Sequence, residues 1–239
     1  MTRTIPTRAA KATRSSRNAE TARTARKPAK NKTQDKAPRK ANYHHGNLRE
    51  ALVAAAIRVL EEEGIAALSL RRVAKESGVS QAAPYAHFAD KKTLLTEVAN
   101  RGFALFRDRM AQEADRAASR DGYLVGLGKG YVFFALENPA LFHLMFGGQL
   151  SELIDVDCLE QSFGPSYQLL VDAIHRHPLT SQYGATPDLD IAHAWSLVHG
   201  LASLLQAKTF APQMYGYDTV DGFATDMLRK FLGFRLPAG

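Results

Sequence analysis

Four helix-start signals follow one another between Asn47 and Asp90, and they leave a chain of this kind few ways to fold. From Asn47, apolar residues recur at helical spacing as Leu48, Leu52, Ala55, Val59 and Leu60, with Arg49, Arg58, Glu61 and Glu62 off that stripe. Asn47 can cap this helix, Glu50 three residues later can reach back in a variant of the capping box, and Gly64 ends it. Ser69 caps a second, short helix whose Leu70, Val73 and Ala74 face inward, and Gly78 supplies the turn that follows. Ser80 caps a third. Asp90 caps a fourth that runs to about Ala117, roughly 40 Å at the usual rise per residue. The pattern is three short helices feeding one long one.

Helical patterns continue near 122–137, 139–146, 150–177, 188–208 and 218–235, broken at Pro139, Gly147-Gly148, Pro178, Pro187 and Pro212. No run of alternating β-branched residues competes with them and no internal repeat is present, so the expected fold is all-α. There is no apolar run of membrane-spanning length and no signal-peptide core near the start, which points to the cytoplasm and to no membrane partner. Cys158 is the single cysteine, which excludes an internal disulfide and a thiolate zinc cluster.

The formal net charge of +7 is unevenly spread. Residues 1–41 hold thirteen Lys and Arg against only Glu20 and Asp35, so the remainder of the chain is net acidic. That tail has almost no aliphatic or aromatic residue beyond Ile5 and cannot bury enough surface to offset the entropy of ordering it. It is expected to be disordered, either a solvated extension that aids solubility or a sequence-independent arm for polyanions.

Between the two charged flanks lies Val79–Phe88, "VSQAAPYAHF", which starts like a helix yet contains no Lys, Arg, Asp or Glu. The preceding Ala74-x-x-x-Gly78-Val79 has the spacing of a helix-turn-helix: a small residue where two helices touch, a glycine for the turn, then a helix presented outward. A helix that enters a major groove reads base edges with amides and small apolar groups, so Gln81 suits an adenine edge and Ala82 or Ala83 a thymine methyl. Pro84, at about the fourth helical position, forfeits a bond to the Ser80 carbonyl, and a short, slightly irregular helix is expected. Lys91 and Lys92, and Arg71 and Arg72, stand in first turns, where cations oppose the helix dipole and imply a bound anion. Tyr43, His44 and His45 add hydroxyl and imidazole groups ahead of the first helix, and phosphate is the anion that such helix starts clamp.

Residues 45–95, through Gly64, Ser69-Leu70, Val73-Ala74, Gly78-Val79-Ser80, Tyr85-Ala86-His87-Phe88 and Lys91-x-x-Leu94, resemble the DNA-binding domain of TetR-family transcriptional regulators. Tyr43-His44-His45-Gly46-Asn47-Leu48 and Trp195-x-x-x-His199-Gly200 are similar to the subgroup whose C-terminal domain is named for its Trp-His-Gly signature. The resemblance covers about residues 43–235 and places Ser80, Gln81, Tyr85, His87 and Lys91 at DNA-contacting positions; many members carry an aliphatic residue where this chain has Pro84. It implies a ligand-responsive repressor that binds double-stranded DNA as a homodimer. The DNA-binding set is then Tyr43, His44, His45, Ser69, Arg71, Ser80, Gln81, Ala82, Tyr85, His87 and Lys91. The expected division is a tail at 1–41, a helix-turn-helix domain at 42–90 with its motif at about 69–88, and a helical regulatory and dimerisation domain at 91–239.

In that last part, Tyr131-Val132-Phe133-Phe134 and Leu141-Phe142-His143-Leu144-Met145-Phe146 concentrate aromatic side chains in two neighbouring helices. Such residues are ordinarily core; in a family that senses small molecules they are also the candidate lining of an apolar pocket for a small apolar or aromatic effector. The pocket set is Phe133, Phe134, Phe142, His143, Phe146, Trp195 and His199, the last two four residues apart on one face and expected to pack and hydrogen-bond rather than do chemistry. His175-Arg176-His177 does not place two imidazoles on one helix face, and Asp155-Val156-Asp157-Cys158-x-Glu160 has nothing to fix its geometry, so neither metal nor cofactor is expected. Helix 188–208 is apolar nearly all round, so with helix 218–235 it is expected to form a four-helix interface between two copies. The alternative is an all-α enzyme or small-molecule carrier with an incidental helix-turn-helix. No nucleophile and base at plausible spacing, phosphate-binding loop or metal motif favours catalysis.

Overall fold

A computed structural model describes residues 45–147, 160–176, 187–209, 211–231 and 233. Among them are eight α-helices: α1 (His45–Glu63), α2 (Leu70–Glu76), α3 (Lys91–Asp115), α4 (Arg120–Glu137), α5 (Pro139–Phe146), α6 (Glu160–Arg176), α7 (Pro187–Gln206) and α8 (Val220–Phe231). Two 3-10 helices, Ala83–Ala86 and Pro212–Tyr215, complete the regular structure, and no strand occurs among the described residues. The tail expected at 1–41 lies outside the described residues, which all fall within one compact unit, Asn42–Gly239. The pattern expected over 150–159, with the acidic cluster and Cys158, lies outside the described residues, as does His177.

The local signals account for most boundaries. Gly64 takes a left-handed φ of 80° after α1, and Gly78 a φ of 66° after α2. Ser69 Oγ accepts the Arg72 N–H at 3.1 Å, and Asp90 Oδ1 accepts the Thr93 N–H at 2.7 Å. Two starts differ from expectation. α1 begins at His45, so Asn47 sits inside the first turn rather than capping it; Gly46 does not stop the helix because N–H groups of a first turn have no intrahelical acceptor to lose. Ser80 caps no α-helix. Pro84 has no N–H with which to close an α-helical bond to the Ser80 carbonyl, which accepts instead from the Ala83 N–H at 3.0 Å, and the segment tightens into a 3-10 helix.

α3, 25 residues long, is the spine of the fold and packs on α1, α4, α5 and α6. One core continues from Leu52 in α1 to Leu228 in α8. The close approach of α3 to α4 depends on two glycines four residues apart on one face of α4. A Cβ on Gly126 would stand 2.6 Å from Cα of Ala114, and one on Gly130 would stand 2.7 Å from the Arg109 carbonyl oxygen. Arg109 reinforces this seam by pairing with the buried Glu113 and with Glu137 at 3.0 Å, its guanidinium lying 5.0 Å over the Phe133 ring.

Candidate nucleic-acid interface and ligand cavity

α2 buries Leu70, Val73 and Ala74, and the Val79 N–H donates to the Ala74 carbonyl at 3.0 Å, which pins the turn after Gly78. Two anchors then hold the following segment down: Pro84 and Phe88 are buried. Between and before them, Ser80, Gln81, Ala82, Tyr85 and Ala86 are exposed and His87 is half-buried. The result is an uncharged protruding turn with an amide, a hydroxyl, a phenol and two methyl groups available to a partner. Pro84, expected to leave this helix short and irregular, does so, and it is also one of the two residues that anchor it.

The surrounding cations divide into two kinds. Arg71 is exposed with no ion pair among the described residues, and Lys92 is exposed at the start of α3. Arg72 is otherwise engaged: it pairs with Glu63 of α1 and lies 3.1 Å from Glu76, which also meets Arg58 at 3.2 Å. Hydrogen bonds from Arg72 hold the carboxyls of Glu63 and Glu76 below their ordinary range. The anion implied by a cation in the first turn of α2 is therefore, for Arg72, supplied by the protein itself. Lys91 is half-buried and its Nζ donates to the Ile65 carbonyl at 2.8 Å, tying the start of α3 to the turn after α1. Ser69 Oγ is used in capping. Tyr43 and His44 lie outside the described residues; His45 opens α1, with its side chain outside them too.

In the C-terminal part, α3, α4, α5, α6, α7 and α8 line an apolar cavity of about 50 Å³. Six aromatic rings wall it: Phe106, Tyr131, Phe146, Phe163, Tyr167 and Trp195. Among the described residues no charged side chain lines it, and its polar groups are the hydroxyls of Ser166, Tyr131 and Tyr167 and the indole N–H of Trp195. The Tyr131 phenol lies 2.8 Å from His199 Nδ1, on the next turn of α7 from Trp195. Burial pushes the Tyr131 phenol up, with a hydrogen bond from Trp195 opposing, and burial alone pushes the His199 imidazole down, so both groups are held neutral.

Of the seven residues expected to line a pocket, Phe146 and Trp195 are on the wall. Phe142 and His199 stack behind it, with ring centroids 5.6 Å apart, and Phe134 is buried against Phe106. Two face elsewhere: His143 is exposed, and Phe133 turns toward Arg109 and Lys129. Both lie on helices that contribute other residues to the wall, and a helix has only one face toward a given cavity. The sequence reading missed Phe163 and Tyr167, although their four-residue spacing on α6 is a legible stripe, and it missed Phe106 on the spine helix.

An all-α fold with a helix-turn-helix and a larger helical part that holds an aromatic cavity is the architecture of a helix-turn-helix DNA-binding protein. Comparison with known proteins agrees. Residues 52–98 match the family model described as bacterial regulatory proteins, tetR family, and residues 124–231 match the one described as tetracyclin repressor-like, C-terminal domain. Together these take in well over half of the chain, which belongs to the TetR family. An uncharacterized HTH-type transcriptional regulator of Bacillus subtilis, YobS, is 29% identical over 97 residues, 41% of this chain and 50% of that one. The chain thus spans about half the length of the curated relatives it matches. A solved protein of unknown function from Rhodococcus sp. RHA1 superposes with a TM-score of 0.67 at 28% identity, covering 81% of this chain and 98% of its own. A TetR family transcription regulator from Marinobacter aquaeolei VT8 shares the fold, with a TM-score of 0.57 at 20% identity over 77% of this chain and 94% of its own. No described helix is long and apolar enough to cross a membrane.

Proposed function

We propose that the protein is a repressor of transcription that binds a roughly palindromic operator in double-stranded DNA as a homodimer and is released by a small, neutral, apolar or aromatic effector. The observation that carries this reading is the exposed, uncharged turn Ser80–His87, anchored by buried Pro84 and Phe88 and flanked by the exposed Lys92 and by Arg71, which has no ion pair among the described residues. Gln81 and Ala82 read base edges, Tyr85, His87 and Ser80 contact base or backbone, and Arg71, with Lys91 and the arm at Tyr43, His44 and His45, holds phosphates. The side chains of Trp195 and His199 and the bare Gly200 fit the subgroup with the Trp-His-Gly C-terminal domain.

The homodimer forms through α7 and α8. On α7, Leu189, His193, Ser196 and Leu204 are exposed at helical spacing, and a Cβ added to Gly200 on the same stripe would meet nothing within 4 Å. Among the described residues of one protomer nothing calls for a glycine there; a partner helix at close range would. Two copies joined so would present their reading turns to half-sites about 34 Å apart or a multiple of that.

The effector occupies the cavity between the six aromatic rings. The lack of a charged lining residue among the described residues favours a neutral molecule, because a buried charge without a partner is costly. A cavity of about 50 Å³ holds only a few water-sized groups, so a larger effector seated within it spreads the helices around it. It thereby favours a dimer whose reading heads are wrongly spaced, with a coupling of about 1 to 3 kcal/mol typical of such devices. Selection of duplexes from a random pool, followed by retention against competitor DNA, tests the reading: enrichment of an inverted repeat is expected, and a pool that shows no enrichment would overturn it.

A further inference from the structure

We infer that Glu61 couples the ligand cavity to the reading head by holding the N-terminus of α5. The inference rests on the regulator reading above and names the residue through which its two sites communicate. α5 is an eight-residue helix whose N-terminus lacks local means of satisfying its N–H groups. Its N-cap residue, Asn138, makes no side-chain capping bond to it, its Nδ2 donating instead to the Phe134 carbonyl at 3.2 Å. Pro139 has no N–H. The next two amides, Ala140 and Leu141, donate to Oε2 and Oε1 of Glu61 at 3.0 and 2.8 Å, from a residue nearly eighty positions earlier in the chain.

The placement of that carboxylate is informative. Glu61, Glu62 and Glu63 fill the last turn of α1, where negative charge opposes the helix dipole. Glu63 is compensated by Arg72, which ties α1 to the helix-turn-helix. Glu61 is compensated by the amides and the positive dipole end of α5. One helix end therefore grips both the reading head and α5.

The opposite end of α5 is Phe146, on the cavity wall. Its middle rests on α3 at Gly102, where an added Cβ would stand 2.6 Å from Met145 Sδ and 3.0 Å from Leu141 Cδ1. An eight-residue helix is about 12 Å long and moves as a rigid rod. A ligand that displaces Phe146 must therefore slide or tilt α5, and the two bonds to Glu61 transfer that movement to α1. Glu61 is a positioning residue in this account: it touches neither ligand nor DNA.

The single tryptophan of the chain, Trp195, stands on the cavity wall and reports occupancy by its emission. The neutral aromatic dye N-phenyl-1-naphthylamine serves as probe, with hydrogen exchange followed by mass spectrometry over the full chain. In the wild type, the dye should change Trp195 emission and alter exchange in both α5 and α1. In Glu61→Ala it should bind within about twofold of the wild-type affinity and alter exchange in α5, while α1 no longer responds; Glu61→Gln, which keeps one acceptor oxygen, should recover part of the α1 response. Unfolding midpoints followed at Trp195 show whether the variants are folded.

A second arm measures the dye's effect on affinity for a duplex selected on the wild type. We expect a weakening of about fivefold or more that falls to near one in Glu61→Ala. An α1 response that survives in Glu61→Ala overturns the inference, as does a wild-type α1 that never responds while Trp195 reports occupancy. A dye that leaves Trp195 emission unchanged removes the ligand cavity, and the inference with it. If the wild type selects no duplex, the regulator reading fails, whereas the exchange result still decides whether Glu61 carries the movement.

Discussion

The Tyr131 phenol meets His199 Nδ1 at 2.8 Å, and this bond joins α4 to α7 beside the cavity. Because burial depresses the His199 pKa, the unfolded chain binds a proton that the folded chain refuses. Stability attributable to His199 should therefore fall as the pH drops through the ordinary imidazole value of about 6.5 toward the lower folded one. His199→Gln removes that loss, so the stability advantage of wild type over variant should shrink on going from about pH 7 to pH 5. Tyr131 has the opposite reach: its raised pKa costs stability above about pH 10, and Tyr131→Phe should abolish that alkaline loss while costing about 1 to 2 kcal/mol near neutrality. Urea titrations across pH decide both; parallel pH profiles for wild type and variants would dismiss the pair as a titrating element.

Gly126→Ala should destabilise by about 1 to 3 kcal/mol, toward the upper end because the added methyl meets backbone atoms that cannot rotate away. The urea midpoint should drop at unchanged slope. A neutral Gly126→Ala would mean that α3 and α4 do not pack as closely as described.

Gly200→Ala is expected to behave differently. Among the described residues of a protomer the new methyl has open space, and helix propensity alone gives about 1 kcal/mol of stabilisation. If a partner helix approaches there, the same change weakens self-association, and Leu204→Glu should weaken it further. Light scattering over a dilution series checks this; wild type that is monomeric at micromolar concentration, or variants that associate as tightly as wild type, would locate the interface elsewhere.

Gln81→Ala should cost about 1 to 3 kcal/mol on the selected duplex and little on random DNA, because only a base contact carries sequence information. Arg71→Ala should weaken both duplexes similarly and reduce the salt slope by about one unit. Lys91→Ala should do more than remove a charge, since its ammonium also holds the Ile65 carbonyl; a lower unfolding midpoint is expected beside the weaker binding. Removing residues 1–41, with thirteen Lys and Arg, should lower non-specific affinity while operator preference survives. Equal losses on both duplexes for Gln81→Ala would show that another segment reads the sequence.

What the sequence determined by itself was local and periodic. Ser69 and Asp90 cap, and Gly64 and Gly78 turn the chain, because a side-chain oxygen three residues before an amide or a Cβ-less backbone acts without help from distant residues. The apolar stripes likewise fix which faces of α1, α2 and α3 turn inward. Tertiary structure alone decided the rest, since each case turns on a partner remote in sequence. Glu61 reads as a solvated charge until α5 brings two unpaired amides to it, and Arg72 reads as a phosphate clamp until Glu63 and Glu76 claim it. His143 and Phe133 sit in the aromatic runs that suggested a pocket, yet point away from it, while Phe163 and Tyr167 arrive from another helix to complete it. Periodicity tells a side chain which way to face along its own helix; only the packing of the helices says what it will find there.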